Sequence, residues 1–210
     1  MNDFGQAISR ERGWYWQPIP TLGMVALVLG AAFLLLLLAT DKDEYLAILD
    51  DFNLVVHEAG HPLFGNFGES AGLWGGTLLQ LLVPLAIAAV FFWQQAALSF
   101  AFAAIWFFEN LLNVARYMAD AREQVLPLVG GGEHDWWNIF SRHGLLEHDT
   151  AIASVVRTIG WVGMVSMVVL AVLVWYSQWR EGAEGEGTPE PGEDAAGPGE
   201  YRVGQTYEPT

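Results

Sequence analysis

The sequence predicts an all-α integral membrane protein with about four to five transmembrane helices, a buried polar HExxH helix and a disordered acidic C-terminal tail. Three long runs without a charged residue carry this prediction, at residues 13–40, 70–108 and 158–179. A bilayer core about 30 Å thick takes roughly 20 helical residues to cross. The first and third runs therefore hold one span each, and the middle run holds two. Soluble helical proteins interrupt such runs with polar faces.

Composition excludes several classes of site and partner. The 210 residues include no cysteine, which excludes disulfides and thiolate metal sites. The formal charge of −15 argues against a basic face for nucleic acid, so no nucleic-acid partner is expected. Residues 181–210 hold eight of the acids and few apolar side chains, too few to offset the entropy of ordering. We therefore divide the chain into a membrane domain at 1–180 and a disordered acidic tail at 181–210.

The first predicted elements are a membrane anchor and a polar helix. Trp14, Tyr15 and Trp16 precede a span at residues 20–39 and suit the lipid–water interface. Acidic residues at 41–44 suit a helix N-terminus, so a second helix is predicted from about 44 to 61 or beyond. Its ionisable groups must face protein or water, so we expect other helices to shield it. Pro62 predicts a kink or an early helix end.

The remaining membrane domain alternates glycine-rich, apolar and polar segments. A glycine-rich connection is predicted at 65–76, followed by spans at 77–93 and 96–118. Residues 119–150 are polar and do not span, and the glycines at 130–132 break any helix there. The last span is predicted at 151–179.

The arginines predict the orientation of the chain. If the polar helix crosses the membrane, five crossings gather most arginines on one side: Arg10, Arg12, Arg116, Arg122, Arg142 and Arg157. We therefore favour five crossings with a cytoplasmic N-terminus. With five crossings or four, the C-terminal end of the polar helix lies on the same side as residues 119–150.

His57, Glu58 and His61 form the HExxH motif. Two histidines four residues apart project from one helix face and can hold one ion, while Glu58 can reach a water bound to it. In catalytic zinc sites three protein ligands leave a position for water, and a glutamate that is not a ligand takes the proton. The motif predicts a Zn²⁺ site and hydrolysis of an amide, with Glu58 as the catalytic base. The alternative is a histidine pair satisfied by carboxylates such as Asp50 or Asp51.

The third metal ligand is expected within residues 119–150. We favour Asp135, because glycines 130–132 let the backbone bend inward and Trp136 and Trp137 suit the interface. His134 is the alternative third ligand. The other candidates are Asp120, Glu133, His143, His148 and Asp149.

The surroundings of the motif resemble a known family. The run Val-Val-His-Glu-Ala-Gly-His-Pro-Leu-Phe at 55–64 resembles the first motif of the site-2-protease-like membrane zinc metallopeptidases, in particular their small bacterial branch. The resemblance extends to residues 109–113 and 134–137. It implies that His57, His61 and a distant aspartate bind zinc, that Glu58 is the general base, and that Asn110 binds substrate.

We expect an intramembrane zinc metallopeptidase that hydrolyses peptide bonds in or near transmembrane segments of other proteins, in the bacterial inner membrane. One departure from the family favours an alternative: Asn113 replaces a proline of the second motif, and no Asp-Gly pair occurs in the sequence. A non-proteolytic metal-binding scaffold or interaction protein would fit that departure. A metal carrier or channel is disfavoured, because one site gives an ion no path. A peptidase of another HExxH class would use Glu133 or Glu109 as third ligand.

Overall fold

The computed structural model describes residues 15–41, 45–129 and 133–185, and these form a bundle of helices. The α-helices are α1 (Thr21–Thr40), α2 (Ala47–Gly65), α3 (Glu69–Trp93), α4 (Ala97–Ala119), α5 (Asp135–His143) and α6 (Asp149–Gly185). A 3₁₀ turn at Leu146–His148 precedes α6. The predicted all-α fold class is confirmed for this part of the chain.

Among the described residues, four helices are long and apolar enough to cross a membrane: α1, α3, α4 and α6. Many large apolar side chains on α1 and α6 face outward, such as Leu22, Phe33, Val162 and Leu173. An outward apolar surface of this extent suits contact with lipid. The number of spans lies within the predicted range and is consistent with a multi-pass membrane protein.

Contacts between distant parts of the chain define two ends of the bundle. At the Trp16 end, α1 begins beside the α3–α4 turn, and the Gln17 amide donates to the Gln95 carbonyl over 2.7 Å. At the α5 end, α1 and α4 end and α3 and α6 begin. There Arg142 of α5 pairs with Glu69 of α3 over 2.6 Å. The four membrane-length helices therefore run from one end to the other in alternating directions.

Helix α2 joins two helix ends that both lie at the α5 end, because it follows α1 and precedes α3. It therefore does not supply the fifth crossing that the arginines favour, and the N-terminal orientation stays a prediction. Helix α2 stays at the α5 end because its polar face packs against the other helices. Asp50, Asn53 and His57 are buried against other helices, whereas Ile48 and Val55 point outward at 91% and 67% exposure. This arrangement shields Asp50 and His57 with protein, whereas Asp51 is exposed.

Helix α3 begins at Glu69, so most of the glycine-rich connection predicted at 65–76 is helical. The glycines form a close contact between α2 and α3. A Cβ on Gly60 would overlap the Gly75 carbonyl, and a Cβ on Gly72 would lie 3.1 Å from the Gly65 Cα. Small residues allow two helices to approach this closely in a membrane. The packing offsets the low helix propensity of glycine.

The structure bears on two further predicted helix boundaries, those at Pro62 and at the end of α6. Helix α2 continues through Pro62 to Gly65, which agrees with the predicted range of 44 to 61 or beyond, and the early end that Pro62 offered as one possibility does not occur. We attribute the continuation to the close packing of this segment on α3. Helix α6 extends past the predicted end at 179, to Gly185. The acidic segment 42–44, the glycines 130–132 and the tail from 186 lie outside the described residues.

Candidate metal centre

Two histidines of α2 and one aspartate of α5 converge at the α5 end. Asp135 Oδ2 lies 2.9 Å from His57 Nε2 and 3.4 Å from His61 Nε2. One ligand atom from each of the three residues lies within 4.8 Å of the others. The three side chains form a group that could hold a metal ion. The fold thus brings together the two motif histidines and the favoured third ligand.

The donor atoms of this group fit a small divalent cation. Four ligands in a tetrahedron about 2.0–2.1 Å from a metal lie roughly 3.3 Å from one another. The two distances to Asp135 Oδ2, 2.9 and 3.4 Å, bracket that value. Two imidazole nitrogens and one carboxylate oxygen are also the donor set of catalytic zinc sites that keep one position for water. Zinc therefore fits the residues present.

The second ring nitrogen of each histidine contacts a carbonyl oxygen. His57 Nδ1 lies 3.1 Å from the side-chain Oε1 of Gln80. His61 Nδ1 lies 2.9 Å from the backbone carbonyl of Gly72. A carbonyl can only accept, so Nδ1 is the nitrogen that would carry the hydrogen of each ring once a metal occupied Nε2. Both contacts come from α3, so the α2–α3 packing orients both rings.

Asp135 is held in place by the first turn of α5. Its backbone amide donates to the Tyr117 hydroxyl of α4 over 3.1 Å. The next residue, Trp136, is buried and packs edge-on against Trp74 of α3, with ring centroids 5.4 Å apart. Trp136 was expected at the interface and instead anchors α5 in the core, whereas Trp137 is 39% exposed.

His134, the alternative third ligand, lies outside the metal-ligating group. Its side chain caps α5 by accepting from the Trp137 amide over 3.2 Å. Its Nε2 lies 3.4 Å from Asp120 Oδ2, and its ring stacks on Tyr117 at 4.2 Å between centroids. Burial lowers the pKa of His134, and the Asp120 carboxylate opposes that shift. The first turn of α5 therefore uses His134 as a cap, which explains why Asp135 alone reaches the histidines.

The other candidate ligands lie elsewhere. Glu133, His143 and His148 are exposed. Asp149 is buried and pairs with Arg122, and Asp120 accepts from the Val125 and Leu126 amides. Glu109 is buried and accepts from Asn53.

Asn110 is fully buried, and its side chain donates to the Trp106 carbonyl of its own helix. None of the described residues that line the two cavities beside the motif is Asn110.

Glu58 lines both of these cavities. The inner cavity, about 300 Å³, extends from His57 and Glu58 past Gln80 to Arg116. The outer cavity, about 370 Å³, holds His61 and Asp135 and is bordered by the exposed Glu69 and Glu133. Tyr117, Leu128 and Val129 line both cavities as well. Glu58 therefore lies between an outer polar space and an inner, more apolar one.

Sequence reasoning missed three residues that shape the centre. Gln80 is the only amide side chain between residues 70 and 93, and a polar group in an apolar span is a functional signal. Gly76 leaves room for the His57 ring, because a Cβ there would lie 2.5 Å from His57 Nε2. Tyr117 carried no signal of its own, since tyrosine is common near membrane interfaces.

Comparisons with known protein families, with curated proteins and with solved structures find no match for this chain.

Proposed function

We propose that this chain is an intramembrane zinc metallopeptidase, which hydrolyses peptide bonds in or near transmembrane segments of other membrane proteins. The observation that carries the proposal is the convergence of His57, His61 and Asp135 beside Glu58. The resemblance of residues 55–64 to the site-2-protease-like metallopeptidases supports it. The proposed location is the bacterial inner membrane.

The proposed chemistry divides between the metal and the chain. His57, His61 and Asp135 would hold a zinc ion, which would supply the Lewis acidity that activates water and polarises a carbonyl. Glu58 neighbours His57 in sequence and lines the cavity that holds Asp135, which supports a role in accepting the proton of the attacking water. It would then deliver that proton to the leaving amine. The role needs a carboxylate that does not ligate the metal, and Glu58 is not part of the metal-ligating group.

Access to the centre also supports a peptidase that acts on membrane segments. The outer cavity opens among polar and charged side chains, which suits the entry of water. The inner cavity combines apolar Leu54, Leu126 and Leu128 with the polar Gln80 and Asn113. A peptide strand offers apolar side chains and unpaired amides, and this lining suits both. Hydrolysis in a membrane requires that water and an unwound substrate strand meet at one point.

The alternative is a metal-binding membrane scaffold without peptidase activity. The observation that favours it is Asp135 itself, which is followed by Trp136 and not by glycine. Both proteins would bind zinc, so metal content does not separate them. They differ in whether Glu58 is needed for function once the metal is bound.

Metal content per chain is the first test. Wild-type protein purified in detergent without chelators should hold about one zinc per chain. His57→Ala and Asp135→Ala should lose it, whereas Glu58→Gln should keep it. His143→Ala and Asp51→Ala are matched controls, since both residues are exposed and outside the centre, and they should bind like wild type. Wild-type protein that binds no zinc would contradict the proposal.

Cleavage is the second test. Wild type and Glu58→Gln are reconstituted in liposomes with a mixture of synthetic single-span peptides, and products are read by mass spectrometry. Loss of a general base costs about a hundredfold to ten-thousandfold in rate, so Glu58→Gln should show almost no product. Equal product from both proteins would exclude Glu58 as the base. Zinc binding without product from any peptide would favour the scaffold.

A further inference from the structure

A chain of side-chain hydrogen bonds leads from His57 into the bundle. His57 Nδ1 contacts Gln80 Oε1 over 3.1 Å, and Gln80 Nε2 donates to Asn113 Oδ1 over 2.8 Å. Asn113 Nδ2 then donates to Asp50 Oδ1 over 2.9 Å. Three helices contribute, because Gln80 lies on α3, Asn113 on α4 and Asp50 on α2. The chain of bonds thus returns to the helix on which it began.

The donors and acceptors of this chain all run in one direction. The Asp50 carboxylate accepts from Asn113 and also from the Leu46 amide over 2.6 Å. An acceptor at that end turns the Asn113 amide so that its oxygen faces Gln80. The Gln80 amide is turned in the same way, so its oxygen faces His57. The two amides thus present an oxygen to His57 Nδ1, which favours the hydrogen on that nitrogen when a metal occupies Nε2.

Burial makes these bonds difficult to replace. Gln80 is 3% exposed and Asp50 is 2% exposed, so water has little access to either side chain. An amide buried without its hydrogen-bond partner is destabilising, because it loses water without a replacement. His61 contrasts with His57, because its Nδ1 contacts a backbone carbonyl that no side-chain substitution removes.

We infer that Gln80 is a positioning residue for His57, held in turn by Asn113 and Asp50. Gln80 keeps the His57 ring in the tautomer and rotation that aim Nε2 at the metal position beside Asp135. The inference rests on the metal-binding part of the proposed function and does not depend on peptidase activity. Such outer partners typically contribute ten- to hundredfold to metal affinity.

The test measures the affinity of full-length protein in detergent for Zn²⁺ and for Co²⁺, by competition with a chelator. Gln80→Leu should weaken binding about ten- to hundredfold. Gln80→Glu keeps an acceptor for Nδ1–H and should retain most of the affinity. Gln94→Leu is the matched control, since Gln94 lies exposed at the end of the same helix, and it should bind like wild type.

Two readouts separate positioning from general stability. The visible spectrum of bound Co²⁺ reports ligand geometry, and ¹⁵N shifts of the His57 ring report which nitrogen carries hydrogen. Gln80→Leu should change both. If that variant does not fold, Asn113→Ser tests the next link and should shift the same signals less. Wild-type affinity and spectra in the folded Gln80→Leu variant would overturn the inference.

Failure of the proposed function has a different signature. Protein that binds zinc tightly but cleaves nothing would leave the effect of Gln80→Leu on metal affinity intact. Wild-type protein that binds neither metal would overturn both proposals.

Discussion

The α5 end and the Trp16 end of this bundle are built from the same four long helices but by different means. At the Trp16 end, Trp16 packs against Phe92 and Phe100, with ring centroids 5.5 and 5.7 Å apart, among small apolar side chains. At the α5 end, the buried groups include His57, Asp135 and their hydrogen-bonded partners. Burying polar groups is costly unless each finds a partner. Both ends have apolar contacts, but the α5 end also buries ionisable side chains, which is where the candidate site lies.

The largest difference between the two ends is expected in cysteine labelling, because the two ends should lie on opposite sides of the membrane. The sequence has no cysteine, so single cysteines report position cleanly. Asp41→Cys and Phe67→Cys flank α2 and should react with an impermeant maleimide from one side of sealed vesicles. Gln94→Cys, at the Trp16 end, should react only from the other side.

A membrane-crossing α2 would place positions 41 and 67 on opposite sides and would contradict the fold described above. The side that labels Gln94→Cys also decides the N-terminal orientation, since α1 begins at that end.

The next largest effect is expected on stability, for a substitution where α2 and α3 pack closely. Gly60→Ala would drive a Cβ into the Gly75 carbonyl, and backbone cannot rotate away as a side chain can. We expect a loss of about 3 kcal/mol of stability, seen as a lower unfolding midpoint in detergent, together with loss of zinc. Gly30→Ala on α1 meets no atom within 4 Å and is the matched control. Equal stability of the two variants would exclude a close α2–α3 interface.

Zinc itself should stabilise the α5 end by a comparable amount. A ligand that binds only the folded state at 100 times its Kd adds about 2.7 kcal/mol. Adding EDTA to wild-type protein should therefore lower the unfolding midpoint, and His57→Ala should not respond.

Trp16→Ala sharpens the comparison between the ends. It removes an aromatic contact far from the centre, so it should lower the midpoint with and without zinc while keeping the zinc-dependent increment. An increment lost in this variant would mean that the two ends are not independent.

The sequence predicted the spans well and the glycine-rich segment poorly. Uncharged runs located α1, α4 and α6, because the length of an apolar run follows from bilayer thickness. Residues 65–76 were assigned to a connection because glycine disfavours helix by about 1 kcal/mol. That local cost is outweighed by the contact of Gly60 with Gly75, which only tertiary structure reveals. Helix α2 does not supply the fifth crossing that the arginines favour, because charge counts carry no information on which ends of the bundle a helix joins.

The sequence predicted only part of the candidate site, because the rest depends on contacts between distant residues. The helical period alone puts His57 and His61 on one face. Asp135 is 78 residues from His57, so the sequence limited the third ligand to residues 119–150 by the side of the membrane and favoured Asp135 from the nearby glycines and tryptophans. His134 and Asp135 are adjacent, so no argument from spacing distinguishes them as ligands. The structure distinguishes them, because the His134 side chain caps α5. Gln80 was missed because its role depends on a neighbouring helix.

The smallest effect is expected for the exposed ion pair at the α5 end. Arg142 and Glu69 are 45% and 83% exposed at their side chains, and such pairs contribute between zero and about 1 kcal/mol. Arg142→Gln should therefore leave the unfolding midpoint and zinc content nearly unchanged. Arg122→Gln is the informative comparison, because its partner Asp149 is 1% exposed at the side chain and would lose its ion-pair partner. Loss of a partner for a buried charge costs several times more than loss of an exposed pair. If both variants behaved alike, burial at the α5 end would not set the cost of its polar contacts, and the contrast between the two ends would lose its physical basis.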